Sequence, residues 1–181
     1  MKRILLPMLV AATLSVLVPA GVRAQKISFD LDTTTLAAKA IETVEITLDG
    51  ELLRLAGRFL ATADADEPEL GRLLRRLEGI YVRSYTFDSD GAYDSRAIAA
   101  VRARIGAGWQ KIVNVRSADS DDVEVYTKLA GDRVEGVVII AAQPRQLTFI
   151  NIVGPVDLAE LSLLEGQFAI PRISKKDAKE K

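Results

Sequence analysis

Three carboxylates and a glycine lie close together in FDSDGAYD, residues 87–94. Acidic residues at alternating positions followed by a glycine are typical of the first half of a calcium-binding loop, where side-chain oxygens occupy loop positions one, three and five. With Gly91 at loop position six, Asp90 falls at position five and Asp88 at position three. The spacing therefore raises a calcium site as one interpretation of this segment.

The two ends of that calcium loop are missing. Positions one and twelve fall on Thr86 and Ala97, where a calcium loop needs a carboxylate and a bidentate glutamate. A turn accounts for the same residues, because aspartates build side-chain-bonded turns and Gly91 readily takes a positive φ. Asp94 then caps a helix that starts at Ser95. We favour the turn over the calcium site.

A second acidic cluster, Asp119, Asp121 and Asp122, lies between two predicted strands. A solvated hairpin loop explains it. A right-handed β-α-β crossover with parallel pairing would place this loop and FDSDGAYD at the same edge of the sheet. Asp88, Asp90, Asp119 and Asp121 are then the candidate ligands for a shared divalent cation, although no metal is the favoured expectation.

Paired carboxylates also suggest a hydrolase, since glycosidases use two acids held at a set distance across a sugar cleft. Glu124 and Glu135 lie on neighbouring predicted strands and are candidates for such a pair. Surface charges on a hairpin are the simpler explanation. Trp109 is the only tryptophan, and a core or rim position suits it better than a role in stacking on a sugar.

The composition excludes several other chemistries. The chain has no histidine and no cysteine. This removes Ser-His-Asp and Cys-His catalysis, histidine-ligated zinc and disulfide bonds. The sequence contains neither a G-x-x-x-x-G-K nor a G-x-G-x-x-G phosphate loop. We therefore expect no catalytic residue and no cofactor.

The first 24 residues have the pattern of a secretory signal peptide. Lys2 and Arg3 form a basic start, residues 4–18 are almost entirely apolar, and the sequence predicts cleavage after Ala24. Residues 18–20 offer a second cleavage site. An uncleaved membrane anchor is the alternative, but the apolar run is shorter than the roughly 20 residues that span a bilayer.

Cleavage would leave an acidic protein. The mature chain keeps all 25 acidic residues and 21 basic ones, a net charge of −4. That charge disfavours nucleic acid as a partner, because nucleic-acid surfaces need concentrated basic patches. Without a cysteine for lipidation, we expect no stable membrane anchor after cleavage and a periplasmic or secreted location.

Hydrophobic periodicity divides the mature chain into helices and strands. Residues 26–35 are expected to be extended, and the alternation of ETVEITL indicates a strand or an extended segment. Helices are predicted after caps at Asp49, Asp66, Asp94 and Asp157, the second ending at Gly79. The second helix carries an apolar stripe at Leu70, Leu73, Leu74 and Leu77. Five strands are predicted at 80–87, 109–117, 123–129, 133–142 and 147–154.

These elements predict a single α+β domain over residues 25–171. Four of the strands follow one another through short turns, which indicates antiparallel pairing. We expect an antiparallel sheet of four to five strands with helices packed mainly on one face. The charged residues 172–181 are expected to form a disordered tail.

Five blocks follow one another over roughly residues 45–171: LDGELLRLAGRFL, LEGIYVRSYTFDSDGAY, GWQKIVNVRS, VVIIAAQPRQLTFINIVGPVDLAEL and LEGQFAIP. In sequence and in order, these blocks resemble the bacterial domain-of-unknown-function 4252 family. The resemblance implies an exported bacterial envelope protein and brings no catalytic residues with it. Family members with a lipidated cysteine differ from this chain, so anchoring is not implied here.

The expected function is accordingly that of a non-enzymatic module that binds a protein partner in the bacterial envelope. The alternative is a metal-assisted or carboxylate-based hydrolase that uses the clustered aspartates. Exposed arginines on the predicted helices could contact an acidic partner.

Overall fold

The computed structural model describes residues 26–27, 33–63, 68–116 and 122–164. Within these ranges there are six strands, four α-helices and one 3-10 helix. The helices are α1 Thr33–Lys39, α2 Gly50–Ala63, α3 Pro68–Arg76 and α4 Ser95–Arg104, with the 3-10 helix at Leu158–Leu164. The strands are β1 Glu42–Asp49, β2 Gly79–Thr86, β3 Trp109–Val115, β4 Asp122–Ala130, β5 Arg133–Gln143 and β6 Gln146–Val156.

All six strands form one antiparallel sheet in the order β1-β2-β6-β5-β4-β3. Strands β3 to β6 pair in chain order, with short turns between β4 and β5 and between β5 and β6, and β6 also pairs with β2. The segment containing α4 therefore carries the chain from β2 to the far edge of the sheet. The α+β class and the antiparallel pairing are confirmed, and the sheet has six strands where four to five were predicted.

The additional strand is β1, which pairs with β2 at the other edge. Its residues alternate between exposed and half-buried positions. This is the period-two pattern that favoured a strand for ETVEITL. One face of β1 therefore contributes to the core while the other faces solvent.

The prediction that helices lie mainly on one face of the sheet is wrong. Leu53 of α2 and the apolar stripe of α3 pack on one face, in a cluster with Ile139 and Ile150. Leu36 of α1 and Val101 of α4 pack on the other face, in a second cluster. The reason lies in the central strands β5 and β6, where residues are buried at consecutive positions. Their apolar side chains point to both faces of the sheet, so both faces need to be covered.

Local signals in the sequence located the helices of the first face well. The Asp49 carboxylate accepts hydrogen bonds from the backbone N–H groups of Glu51 and Leu52, each at 3.0 Å, so the predicted cap of α2 is confirmed. Every residue of the α3 stripe is buried: Leu70, Leu73, Leu74 and Leu77. The predicted helix end at Gly79 is wrong, because α3 ends at Arg76 and Gly79 begins β2.

The start of the described chain is attached to the sheet. The backbone N–H of Ile27 donates to Oδ1 of Asn151 at 2.9 Å, and the Ile27 side chain is buried. The Lys26 ammonium lies 4.2 Å from the centre of the Tyr81 ring. Residues 26–35 were predicted to be extended, but α1 already begins at Thr33.

Other predictions fall outside the described residues. They concern the signal peptide (1–24), the tail (172–181), the Asp66 cap and the domain limits at 25 and 171. Among the described residues, none of the helices combines the length and the apolar character needed to cross a membrane.

Two leucines allow a matched test of the core on the α2–α3 face. Leu74 is fully buried and Leu55 is 57% exposed, and both lie within helices. We expect Leu74→Ala to lower the free energy of unfolding by about 2–5 kcal/mol, since it leaves a cavity. Leu55→Ala should change it by less than about 0.5 kcal/mol. Urea unfolding of both variants measures the difference, and similar losses would contradict this packing.

Candidate functional site

The FDSDGAYD loop is fastened to the turn between β5 and β6. The Nε–H of Arg145 donates to Oδ1 of Asp90 at 2.8 Å. The backbone N–H of Gly91 donates to the carbonyl oxygen of Pro144 at 3.0 Å, and Gly91 has a φ of 70°. The glycine thus takes the left-handed conformation that the turn interpretation required.

The remaining aspartates of this loop also have structural partners. Oδ1 of Asp94 accepts a hydrogen bond from the backbone N–H of Arg96 at 2.8 Å, which confirms the predicted cap of α4. The hydrogen bond from the Arg96 side chain is the main cause that lowers the pKa of Asp94. Asp88 accepts from the Ser89 hydroxyl at 3.1 Å. The loop therefore connects β2 to α4 as a turn.

The second acidic loop cannot be compared in full, because Asp119 and Asp121 lie outside the described residues. Asp122 begins β4, opposite Ala142 of β5. The ends of β2 and β3 lie at the same end of the sheet, but the parallel pairing considered for them is wrong. β6, β5 and β4 separate the two strands. Three strand spacings separate β2 from β4, the strand that Asp122 begins, which corresponds to about 14 Å.

A shared cation site of Asp88, Asp90, Asp119 and Asp121 thus stays a prediction. Within the described ranges, no three Asp or Glu residues come together as a metal-binding group.

The two glutamates considered for a hydrolase are far apart. Glu124 lies opposite Ile140, whereas Glu135 lies five residues earlier on β5. Five residues of strand correspond to about 16 Å. Glycosidases hold their two carboxyl groups within roughly 10 Å. This pair does not meet that geometric requirement.

Glu124 is nevertheless the most unusual carboxylate in the described chain, because its side chain is only 4% exposed. Arg102 of α4 donates to both of its oxygens, through Nε at 2.8 Å and a terminal nitrogen at 2.9 Å. Lys111 of β3 donates to Oε1 at 2.9 Å, and the Tyr126 hydroxyl donates to Oε2 at 2.8 Å. Each carboxylate oxygen therefore accepts two hydrogen bonds.

These contacts determine the ionisation of Glu124. Burial raises its pKa, but the hydrogen bonds from Arg102, Lys111 and Tyr126 outweigh burial and lower the pKa to about 2. The hydrogen bond to Glu124 in turn raises the pKa of Arg102 and of Lys111. A carboxylate with this pKa and with both oxygens occupied is a poor general base near neutral pH. Its geometry fits a structural link between α4, β3 and β4.

Sequence reasoning missed this link. The alternation of VEVYTKL predicted the strand, but Glu124 was treated as a surface charge. A glutamate that shares a strand face with a buried tyrosine two positions later could have indicated an inward-facing acid. The identity of its partners depends on the crossover that brings α4 over β4, which no local pattern specifies.

A second group of polar residues lies between α2 and α3. Arg54 and Arg58 of α2 and Arg75 of α3 line a cavity with a volume of about 320 Å³. All three arginines are exposed. The sequence suggested that helical arginines could contact an acidic partner, but it did not bring these three together.

The same helix, α2, also exposes large apolar side chains. Leu52, Leu55 and Phe59 are 48%, 57% and 70% exposed. The helical spacing of the three residues places them on one side of α2, apart from the buried Leu53.

Trp109 is half-buried against the cluster on the opposite face of the sheet.

Comparison with known proteins identifies the family. A family profile described as Domain of unknown function (DUF4252) matches residues 38–164. The chain belongs to this family. No curated protein and no solved structure gives a significant match. The matched residues include the whole six-stranded sheet, the Glu124 link and the three arginines.

The Glu124 link predicts a specific acid sensitivity. Because the pKa of Glu124 falls from its usual 4.5 to about 2 on folding, its contribution is complete above about pH 5 and is lost as pH falls toward 2. The difference in pKa corresponds to at most about 3 kcal/mol. Arg102 and Lys111 are 43% and 34% exposed, so solvent screening reduces this value.

Urea unfolding of the wild type and of Glu124→Gln between pH 7 and pH 3 tests this contribution. We expect the variant to be less stable at pH 7 and the difference between the two proteins to shrink as the pH falls. A constant difference over this range would contradict a depressed pKa for Glu124.

Calcium provides a separate test of the FDSDGAYD loop. We expect millimolar calcium to leave the melting temperature unchanged, because loop positions one and twelve lack ligands and Asp90 and Asp94 already have partners. Magnesium at the same concentration is the control. A rise with calcium that Asp88→Asn abolishes would restore the metal interpretation.

Proposed function

We propose that the protein is an exported bacterial envelope protein that acts by binding a partner protein and not by catalysis. Two features of the sequence support export: the signal-peptide pattern of residues 1–24 and the resemblance to a family of envelope proteins. The binding role is supported by the outward side of α2.

The observation that carries the binding role is the exposed apolar stripe of α2. We define the α2 surface as Leu52, Leu55 and Phe59 together with Arg54 and Arg58 of the same helix. Leu52 and Leu55 are each about half exposed, although α2 has a separate buried side that includes Leu53. Neighbouring large apolar residues on a surface are typical of protein-binding sites.

Charge complementarity indicates the type of partner. Arg54 and Arg58 are neighbours on α2 at a spacing of four residues, beside the apolar stripe. A matching partner would present leucine-like side chains flanked by acidic residues. The stripe runs over eight residues, from Leu52 to Phe59, or about 10 Å of helix. This length fits about two turns of an acidic amphipathic helix.

The hydrolase alternative gains no support from the described residues. Glu124 is occupied by four hydrogen bonds, and Glu135 lies about 16 Å away along the sheet. Asp90 is paired with Arg145. We therefore propose binding alone as the function.

Site-specific photo-cross-linking in cells of the source organism tests the proposal. A photoreactive residue at Leu55 should give a discrete adduct with a protein. The same residue at Ile41 is the control, since Ile41 is 68% exposed but lies outside the α2 surface. We expect Arg54→Glu to remove the Leu55 adduct, because the reversed charge repels an acidic partner.

Three results would contradict this proposal. They are the absence of a protein adduct at Leu55, an identical adduct at Ile41, and an adduct that survives both Arg54→Glu and Arg58→Glu. An adduct with lipid alone would replace the protein partner with a membrane surface.

A further inference from the structure

A cavity of about 360 Å³ lies between α1 and α4, two helices that cover the face of the sheet opposite α2 and α3. These two helices make few direct contacts with one another, whereas α2 and α3 pack closely together. The volume lies within the range of about 300–1,000 Å³ that is typical of small-molecule sites. The gap between α1 and α4 is therefore large enough for a small ligand.

Most of the cavity wall is apolar. Leu36 of α1 is 7% exposed and belongs to the hydrophobic cluster on this face of the sheet. Ala97 and Ala100 of α4 lie about one helical turn apart, and both are half-buried. Because these two residues carry only a methyl group as side chain, they leave space between the helices that a longer side chain would fill.

The charged residues of the cavity lie at one end of it. Lys39 is in the last turn of α1, and Asp94 caps the start of α4. The pKa of Asp94 is lowered mainly by its hydrogen bonds with Arg96 and to a smaller extent by the charge of Lys39, so these two helix ends are close in space. Leu36 and Ala97 lie about one turn further into their helices. The cavity thus runs from a charged end to an apolar end.

The charged end has a net positive charge. Oδ1 of Asp94 accepts the backbone N–H of Arg96 at 2.8 Å, and Oδ2 accepts the Nε–H of the same arginine at 2.6 Å. Both carboxylate oxygens are therefore occupied by one residue. Lys39 adds a second cation, and Asp94 is the one acid among the described residues that line the cavity. An anionic group at this end gains a favourable interaction with the Lys39 ammonium.

We propose that this cavity binds a single-chain alkyl carboxylate, with the chain against Leu36, Ala97 and Ala100 and the carboxylate beside Lys39. Each methylene that leaves water strengthens binding by about fourfold. A methylene takes up about as much space as a water molecule, roughly 30 Å³. The cavity therefore holds a chain of about eight to ten carbons.

This site goes beyond the proposed function and does not depend on it. The α2 surface and the cavity lie on opposite faces of the sheet. Substitutions in α1 and α4 therefore test the alkyl carboxylate site, and cross-linking from Leu55 tests the partner protein. Either proposal can fail while the other stands.

An NMR titration of the ¹⁵N-labelled protein with octanoate tests the site at constant ionic strength. We expect octanoate to shift the amide signals of Leu36, Ala97 and Ala100. Acetate has the same head without the chain, and octyltrimethylammonium has the same chain with the opposite charge. Both should bind at least tenfold more weakly. Absence of octanoate binding, or shifts confined to residues outside α1 and α4, would overturn the site.

Two alanines of α4 provide a matched test of the apolar wall. Ala100→Leu places a larger side chain in the cavity and should weaken octanoate binding at least tenfold. Ala99→Leu is the control, because Ala99 is exposed on the same helix and does not line the cavity. It should change the affinity by less than twofold. Equal effects of the two substitutions would contradict binding in this cavity, and thermal melting checks that both variants are folded.

A charge reversal tests the assignment of the carboxylate to Lys39. Lys39→Glu should weaken octanoate at least fivefold and strengthen octyltrimethylammonium, because the charge at this end of the cavity changes sign. Arg116→Glu makes the same change in net charge at an exposed residue just after β3, outside the cavity. It should leave the ratio of the two affinities unchanged. An equal change of that ratio in both variants would show long-range attraction and overturn the role of Lys39.

Discussion

The structure depends on two central strands that are apolar on both faces. In β5 and β6, consecutive residues are buried, so neither face of the sheet can be left to solvent. The helical pair α2–α3 covers one face, and α1 and α4 cover the other. The chain can supply both layers only because the segment with α4 crosses the second face before the β3–β6 meander begins. The topology thus follows from the burial that the middle of the sheet requires.

The same constraint explains why the polar groups inside the domain are bound to one another. An acid that faces a covered side of the sheet must have partners, because an unpaired buried charge is costly. Glu124 meets this requirement through Arg102, Lys111 and Tyr126. Ser84 and Thr148 do so on the α2–α3 face, where their hydroxyl oxygens are 2.8 Å apart. These hydrogen bonds hold neighbouring elements together and occupy the polar atoms of the side chains that form them.

The parts of the structure that the sequence predicted are those that local interactions determine. The Asp94 cap and the α3 stripe each depend on residues within one or two helical turns. The helix layers and the partners of Glu124 depend on contacts across the sheet, so short-range periodicity could not specify them. Residue spacing could not predict the cavity of the three arginines either, because Arg58 and Arg75 line it only once α2 and α3 pack together. The strand order, with β2 beside β6, is equally nonlocal.

The two groups of charged residues in this domain differ in burial and in their partners. At Glu124, two cations surround one buried anion, and the cluster is closed. Between α2 and α3, three exposed arginines line a cavity, and neither Arg54 nor Arg75 has a carboxylate partner in the described chain. A terminal nitrogen of Arg75 donates to the carbonyl oxygen of Gly57 at 2.8 Å, which holds Arg75 against α2. The buried cluster is thus closed by its own hydrogen bonds, whereas the three arginines stay at the surface of the α2–α3 pair.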